Sequence, residues 1–196
     1  STNIGLDSSG NSNDGIGTNV VIDNTKKIRG FGSLYVDEPI SSQSSHVTLY
    51  AVTFTPDITF SLWVNMPESY NNPYNYAKIL TVQSIENDPV DRMSISRSVD
   101  AWYAEFWGAP NINIGQFELG VWHHLVWVLR SNGVWDFYKN NVNISDNTVR
   151  KAPVLTENIR LRIGGHAGSE SGGSGINGNI DDFRIYNKAL TAQEIS

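Results

Sequence analysis

Cysteine is absent from all 196 residues. That excludes a disulfide framework and thiolate metal sites, although it does not fix the compartment. Charge is scarce too. Asp, Glu, Lys and Arg make up 17% of the chain, with a formal net charge of −6 and a pI near 5.1. Lys26, Lys27 and Arg29 form the densest basic group, and no basic stripe exists to neutralise phosphates. Nucleic acid and anionic membrane are therefore poor partners. No apolar run approaches the roughly 20 residues of a membrane span, so membrane insertion is not expected. Internal repeats and strand–helix alternation are missing as well, which argues against a parallel α/β sheet. The chain opens Ser1-Thr2-Asn3 without an initiating Met and reads as a piece excised from a longer protein with other domains.

Other residue types are plentiful. The chain holds 21 Asn, 21 Ser and 17 Gly, with six Trp and eight Tyr. Asn, Ser and Gly favour turns and aromatics favour strands, so the mixture predicts many short strands joined by loops. A single domain spanning residues 1–196 is expected, since β-sandwiches often reach this length as one unit.

Alternation locates the strands. Asp57 to Asn65 sets Ile58, Phe60, Leu62 and Val64 on one face and Thr59, Ser61 and Asn65 on the other, the pattern of a half-buried strand. Met93 to Ser96 alternates likewise. Ala101 to Trp107 places Trp102, Ala104 and Phe106 against Tyr103, Glu105 and Trp107. Trp122 to Leu129 is nearly continuous apolar and reads as a central strand. Ser131-Asn132-Gly133 turns the chain into a hairpin with Val134 to Tyr138, and Lys139-Asn140-Asn141 turns it again before Val142 to Ile144. Arg160 to Ile163 and Ile180 to Tyr186 close the series. Gly164 to Gly178 reads as a surface loop. Thr191 and Glu194 have capping-box spacing, so one short helical turn is expected at the end. The fold class is all-β, a two-sheet antiparallel sandwich.

Four stretches, in order, resemble the laminin-G-like, concanavalin A-like jelly-roll family. They are Asp7 to Gly15; Gly30 to Asp37 with Phe60 to Val64; Gly120 to Val126 with Trp135 to Asn140; and Arg162 to Gly165 with Gly178 to Thr191. The similarity extends over nearly the whole chain. Relatives carry a strand before the first stretch, where only Ile4-Gly5-Leu6 stands here; it is either very short or lost with an upstream part. The resemblance implies core positions for Trp63 and Trp122 and structural roles for His123 and His124. It also implies a structural calcium in many relatives, held by the opening loop and the first Asp of the Ile180-Asp181-Asp182 strand. Asp7, Asn13, Asp14 and Asp181 are the candidate ligands, all hard oxygen donors. The alternative is that Asp181, on the face of Phe183 and Ile185, accepts N–H groups from the Asp7 to Gly15 turn.

Catalytic signatures are missing. Glycosidases on this fold need two carboxylates flanking the bond, and no Glu-x-Asp-x-Glu run occurs. Glu86 to Asp91 is the densest acidic group and reads as a loop. No Gly-x-Ser-x-Gly elbow is present, and adjacent His123 and His124 face opposite ways on a strand. Tyr70, Asn72, Tyr74, Asn75 and Tyr76 form the outstanding candidate ligand loop, because aromatics stack on sugar C–H faces while amides serve hydroxyls. A loop folded on its own aromatics is the alternative. Trp107 and Tyr103 are further candidates. The expected function is a non-catalytic, lectin-like carbohydrate-binding module on an extracellular, cell-surface or virion-surface protein. A protein-interaction, adhesion or virion-surface structural domain is the competing reading, and a glycoside hydrolase or lyase the least favoured.

Overall fold

The computed structural model describes residues 5–37, 45–50, 54, 57–69, 77–84, 92–98, 101–106, 108–150, 159–165 and 175–196. Along them run β1 (Ile16–Thr18), β2 (Val21–Asp23), β3 (Ser33–Val36), β4 (His46–Tyr50), β5 (Ile58–Asn65), β6 (Lys78–Ser84) and β7 (Arg92–Ser98). The series continues with β8 (Ala101–Phe106), β9 (Ile112–Gly115), β10 (Trp122–Leu129), β11 (Trp135–Lys139), β12 (Val142–Asn143), β13 (Ile159–Ile163), β14 (Gly178–Tyr186) and α1 (Ala192–Ile195). They build two seven-stranded antiparallel sheets, ordered β1-β4-β13-β6-β7-β8-β9 and β12-β11-β10-β5-β14-β3-β2. This is the all-β sandwich that the alternation predicts.

The core fills the space between the sheets. Ile58, Phe60, Leu62 and Val64 of β5 and Leu125, Trp127 and Leu129 of β10 meet Leu80, Val82, Met93, Ile95 and Leu161 of the first sheet. Trp102, Trp127 and Trp135 are fully buried, and Trp127 meets Trp135 edge-on at 5.7 Å. Trp63 and Trp122 are not in this core, contrary to the family-based expectation. Leu62, Val64 and Trp127 take the inward positions, so alternation turns Trp63 and Trp122 outward. Trp63 stacks there on His124, with ring centroids 4.7 Å apart.

A second departure concerns β5, expected to be half-buried. Both of its faces are covered. Val126, Val128 and Tyr138 on the outward side form a second cluster with Leu190 and Ile195 from the end of the chain. Thr59 Oγ1 donates to the Lys188 carbonyl at 2.8 Å and accepts from the Leu190 N–H at 3.0 Å. α1 begins in the expected capping box, with Thr191 and Glu194 each accepting the other's backbone N–H.

The third departure moves a whole strand half. On β14, Asp181 pairs with Trp63, but the next paired residue is Arg184, opposite Ser61. Three steps on β14 thus answer two on β5, which is a β-bulge, and Asp182 takes φ 47° within it. Phe183 and Ile185 do pack on the core. Asp181, however, lies on the opposite face, beside Trp63, because the extra residue resets the alternation. Its carboxylate accepts the N–H groups of Ile28 at 2.6 Å, Arg29 at 3.0 Å and Asp182 at 2.7 Å, none of them from the opening turn.

Removing that acceptor strands three N–H groups, so Asp181→Ala should cost about 1–3 kcal/mol in urea unfolding. Asp182→Gly should stay within about 0.5 kcal/mol, because it exchanges surface ion pairs for relief of positive φ. Equal losses at the two positions would contradict this register.

His123 makes a pH-dependent contribution. The His124 N–H donates to Asn140 Oδ1 at 2.9 Å, which turns the Asn140 amide nitrogen to His123 Nδ1 at 3.2 Å. Nδ1 is therefore an acceptor, and Nε2 donates to the Glu118 carbonyl at 3.1 Å. Burial pushes the His123 imidazole below its ordinary range, and His124 shifts the same way for the same reason. Folding thus favours the neutral ring, so this contribution is complete above the unfolded value near 6.5 and is lost as pH falls below it. The urea midpoint should drop between pH 7 and pH 5, and less so in His123→Gln. A variant with the full wild-type drop would exclude His123 as the source.

Candidate functional site

β3 pairs with β14 only over Gly178 to Ile180. Beyond that point the β3-side edge of β14 has no strand partner among the described residues. Alternate residues of a strand direct N–H and C=O groups to each side, so such an edge offers hydrogen-bonding groups. A cleft of about 860 Å³ lies along it, closed on the other side by the opening loop. Its floor is apolar, with Val47, Leu49, Phe54 and Ile163 facing Phe183 and Ile185. Its rim is polar: Asp7, Ser8, Ser9, Asn11 and Asn13 come from the loop, and Asp182, Arg184, Tyr186 and Asn187 from the strand.

Short polar side chains hold the opening loop in shape. Asp7 is the hub, accepting the Ser9 N–H and hydroxyl at 2.8 Å each and the Asn13 N–H at 3.0 Å. These bonds, the Ser9 hydroxyl foremost, lower its pKa to about 2. Asp14 accepts the Asp7 N–H at 2.8 Å. At Gly15 the backbone presses onto β4, and a Cβ there would stand 2.5 Å from Val47 Cγ1. Across the cleft, Asp182 lies between two guanidinium groups, with Arg184 Nε at 2.8 Å and Arg29 Nε at 3.3 Å. The cleft lining thus carries Asp7, Asp182 and Arg184, and Arg29 reaches Asp182 from outside it.

A second polar array, largely buried, lies on the outward side of the first sheet. Thr48, Arg162, Thr81, Ser94 and Glu105 stand in register across β4, β13, β6, β7 and β8. Lys78 Nζ donates to Glu105 Oε2 and Ser94 Oγ at 3.2 Å each, and Ser94 Oγ donates to Glu105 Oε2 at 3.1 Å. Burial alone would raise the Glu105 pKa, but Lys78 and the serine hydroxyls outweigh it and hold the carboxyl below its ordinary range. Every described carboxylate with a resolved shift moves downward: Asp7, Asp23, Glu105, Asp146 and Glu194. A glycosidase acid needs the reverse.

Of the residues singled out in the sequence, Asp7 and Asn13 line the cleft, Asp14 braces the loop, and Asp181 stands apart on the Ile28 and Arg29 amides. Among the described residues no group of three or more His, Asp or Glu side chains is gathered to hold a metal. Tyr103 is half-buried on the outward face of β8. Tyr70, Asn72, Tyr74, Asn75, Tyr76 and Trp107 lie outside the described residues. Sequence reasoning missed Asp182, Arg184 and Tyr186, and also the Lys78–Glu105 pair. A signal for the second existed: polar residues alternate in step at Ser94 and Ser96, Tyr103 and Glu105, and Arg160 and Arg162.

No curated protein matches the sequence. Among solved structures, the fold resembles domain 4 of AbnA, a GH43 extracellular arabinanase from Geobacillus stearothermophilus, in complex with arabinotriose. That similarity has a TM-score of 0.71 at 20% identity, over 96% of this chain and 89% of that one. It also resembles a heptameric SAP-like pentraxin from Limulus polyphemus, at TM-score 0.61 and 15% identity, over 83% and 79% of the two chains. Trypanosoma rangeli sialidase matches at TM-score 0.62 and 16% identity over 90% of this chain, which spans 28% of that enzyme. Residues 41–196 match the family description in sequence, and the chain belongs to the concanavalin A-like lectin/glucanases superfamily.

Proposed function

We propose that the chain is a non-catalytic carbohydrate-binding module of a secreted or surface-exposed protein, with its ligand in the cleft along β14. The observation that carries this reading is the cleft's composition. Its size falls in the range of small-ligand sites, and its apolar floor and polar rim suit a sugar's C–H faces and hydroxyls. Asn11, Asn13 and Asn187 offer amide donors and acceptors. Asp182 is neutralised by Arg184 and Arg29, and Asp7 is occupied by the Ser9 and Asn13 donors, which favours a neutral ligand. Among the described residues, Asp7 in the cleft is held below its ordinary pKa range by its donors, which supports binding without hydrolysis. The complex of the AbnA domain with arabinotriose makes that trisaccharide the first ligand to try.

Calcium is a separate proposal with its own test. In this cleft the ion would take Asp7 and Asn13 as ligands, and both Asp7 oxygens already accept hydrogen bonds. That donor set is thin for an ion that takes six to eight oxygens. Nothing in the binding reading is routed through it. A millimolar site in 1 mM calcium would add about 0.4 kcal/mol, roughly 1 °C in melting temperature for a domain of this size. A thermal scan in calcium and in chelator should differ by no more than that, whereas a shift of about 5 °C or more would establish a tight site.

Calorimetric titration with arabinotriose, backed by a glycan array, tests the function. Arg184→Ala should weaken binding about tenfold, or about 1.4 kcal/mol. Tyr74→Ala and Trp107→Ala report on the other candidate ligand residues. If Tyr74→Ala abolishes binding and Arg184→Ala does not, the ligand sits on the Tyr70 to Tyr76 loop. Failure of any glycan to bind would end the carbohydrate reading.

A further inference from the structure

We propose that Phe31 extends the saccharide site beyond the cleft, as an aromatic platform for the next sugars of a longer chain; this rests on the cleft reading. Phe31 is 94% exposed, the most exposed of the large apolar residues among those described. It stands on the β2–β3 connection, whose backbone is pinned at both ends of the turn. Asp23 Oδ1 accepts the Thr25 N–H at 2.8 Å, its hydroxyl at 2.6 Å and the Lys26 N–H at 3.2 Å. Asp181 Oδ2 accepts the Ile28 and Arg29 N–H groups. Lys27 Nζ donates to the Phe31 carbonyl at 3.4 Å. A large aromatic side chain left in solvent on a braced turn is preorganised for contact.

Position supplies the ligand class. Arg29, two residues before Phe31, pairs with Asp182, which lines the cleft. Two residues span at most about 7 Å, so Phe31 lies near the Asp182 end of the site. From Asp182 to Asn187 the strand runs about 17 Å, room for a short oligosaccharide with its axis along β14. A longer chain leaving at the Asp182 end would pass the Phe31 turn. The platform adds no charge, which matches a neutral saccharide, and a ring face accepts a sugar without demanding one linkage.

Arabinotriose and arabinohexaose titrated into the wild type and Phe31→Ala provide the test. The wild type should bind the hexaose more tightly than the triose. Phe31→Ala should bind the triose as the wild type does and lose about three- to tenfold in hexaose affinity, the size of one aromatic contact. Phe31→Tyr should restore it. An unchanged hexaose affinity in Phe31→Ala, or an equal loss for both sugars, would overturn the platform. So would release of Phe31→Ala from phosphatidylserine vesicles that hold the wild type, with saccharide binding intact. Absence of binding of either sugar to the wild type would overturn the cleft reading, and the platform with it.

Discussion

The bulge at Asp181 to Phe183 is the constraint on which the site depends. A regular β14 would keep Asp181 on the face of Phe183 and Ile185, inside the sandwich, where a carboxylate is expensive without partners. The extra residue turns Asp181 outward instead, under the Ile28 and Arg29 amides. It also puts Asp182 at positive φ, a conformation that Asp tolerates better than most residues, and aims it at the cleft rim. One inserted residue therefore fastens the β2–β3 turn and furnishes the rim. The strand edge beside it stays open because β3 ends at the same point. Bulges are over-represented beside functional sites for this reason: they re-aim side chains without unfolding a sheet.

Stability without disulfides comes from covering both faces of the central strands. The inner faces supply the aromatic core around Trp102, Trp127 and Trp135. On the outer side of the second sheet, Leu190 and Ile195 close over Val126, Val128 and Tyr138, while His124 and Trp63 stack beyond them. The outer side of the first sheet is handled differently. There Lys78, Ser94 and Glu105 satisfy one another. The described site lies at the sandwich edge, between the opening loop and β14.

What the sequence disclosed and what it hid divide along the range of the interactions. Alternation within Ile58 to Val64 and the apolar run from Trp122 to Leu129 are local signals, and both strands lie where those signals place them. The capping box of Thr191 and Glu194 is equally local. Burial of the outer face of β5 was not legible, because its cover comes from Leu190 and Ile195, far along the chain. Nor was the side on which Asp181 lies. A bulge leaves the spacing of Phe183 and Ile185 unchanged and both still reach the core, so period-two reasoning succeeds for them and fails two residues earlier. Half of the candidate cleft shared that fate. Asp7 and Asn13 were marked by oxygen-donor chemistry, whereas Arg184 and Tyr186 are ordinary strand residues until β3 ends beside them.

The acid–base chemistry of the described carboxylates bears on the choice between binding and hydrolysis. A glycosidase keeps one carboxyl protonated near neutral pH by burial away from donors. Among the described residues, Asp7 and Glu105 do the opposite. Asp7 is surrounded by N–H and O–H donors, and Glu105 is buried against Lys78 and hydroxyls, so in each the ionised form is favoured. Such carboxylates fix loops and orient neighbours, but they are poor proton donors to a leaving group. The same donors that make Asp7 a weak acid catalyst make it a firm hub for the opening loop. For a cleft whose walls are a loop and a strand edge, that rigidity suits the proposed binding role, since a rim held in place beforehand loses little conformational freedom when a ligand docks.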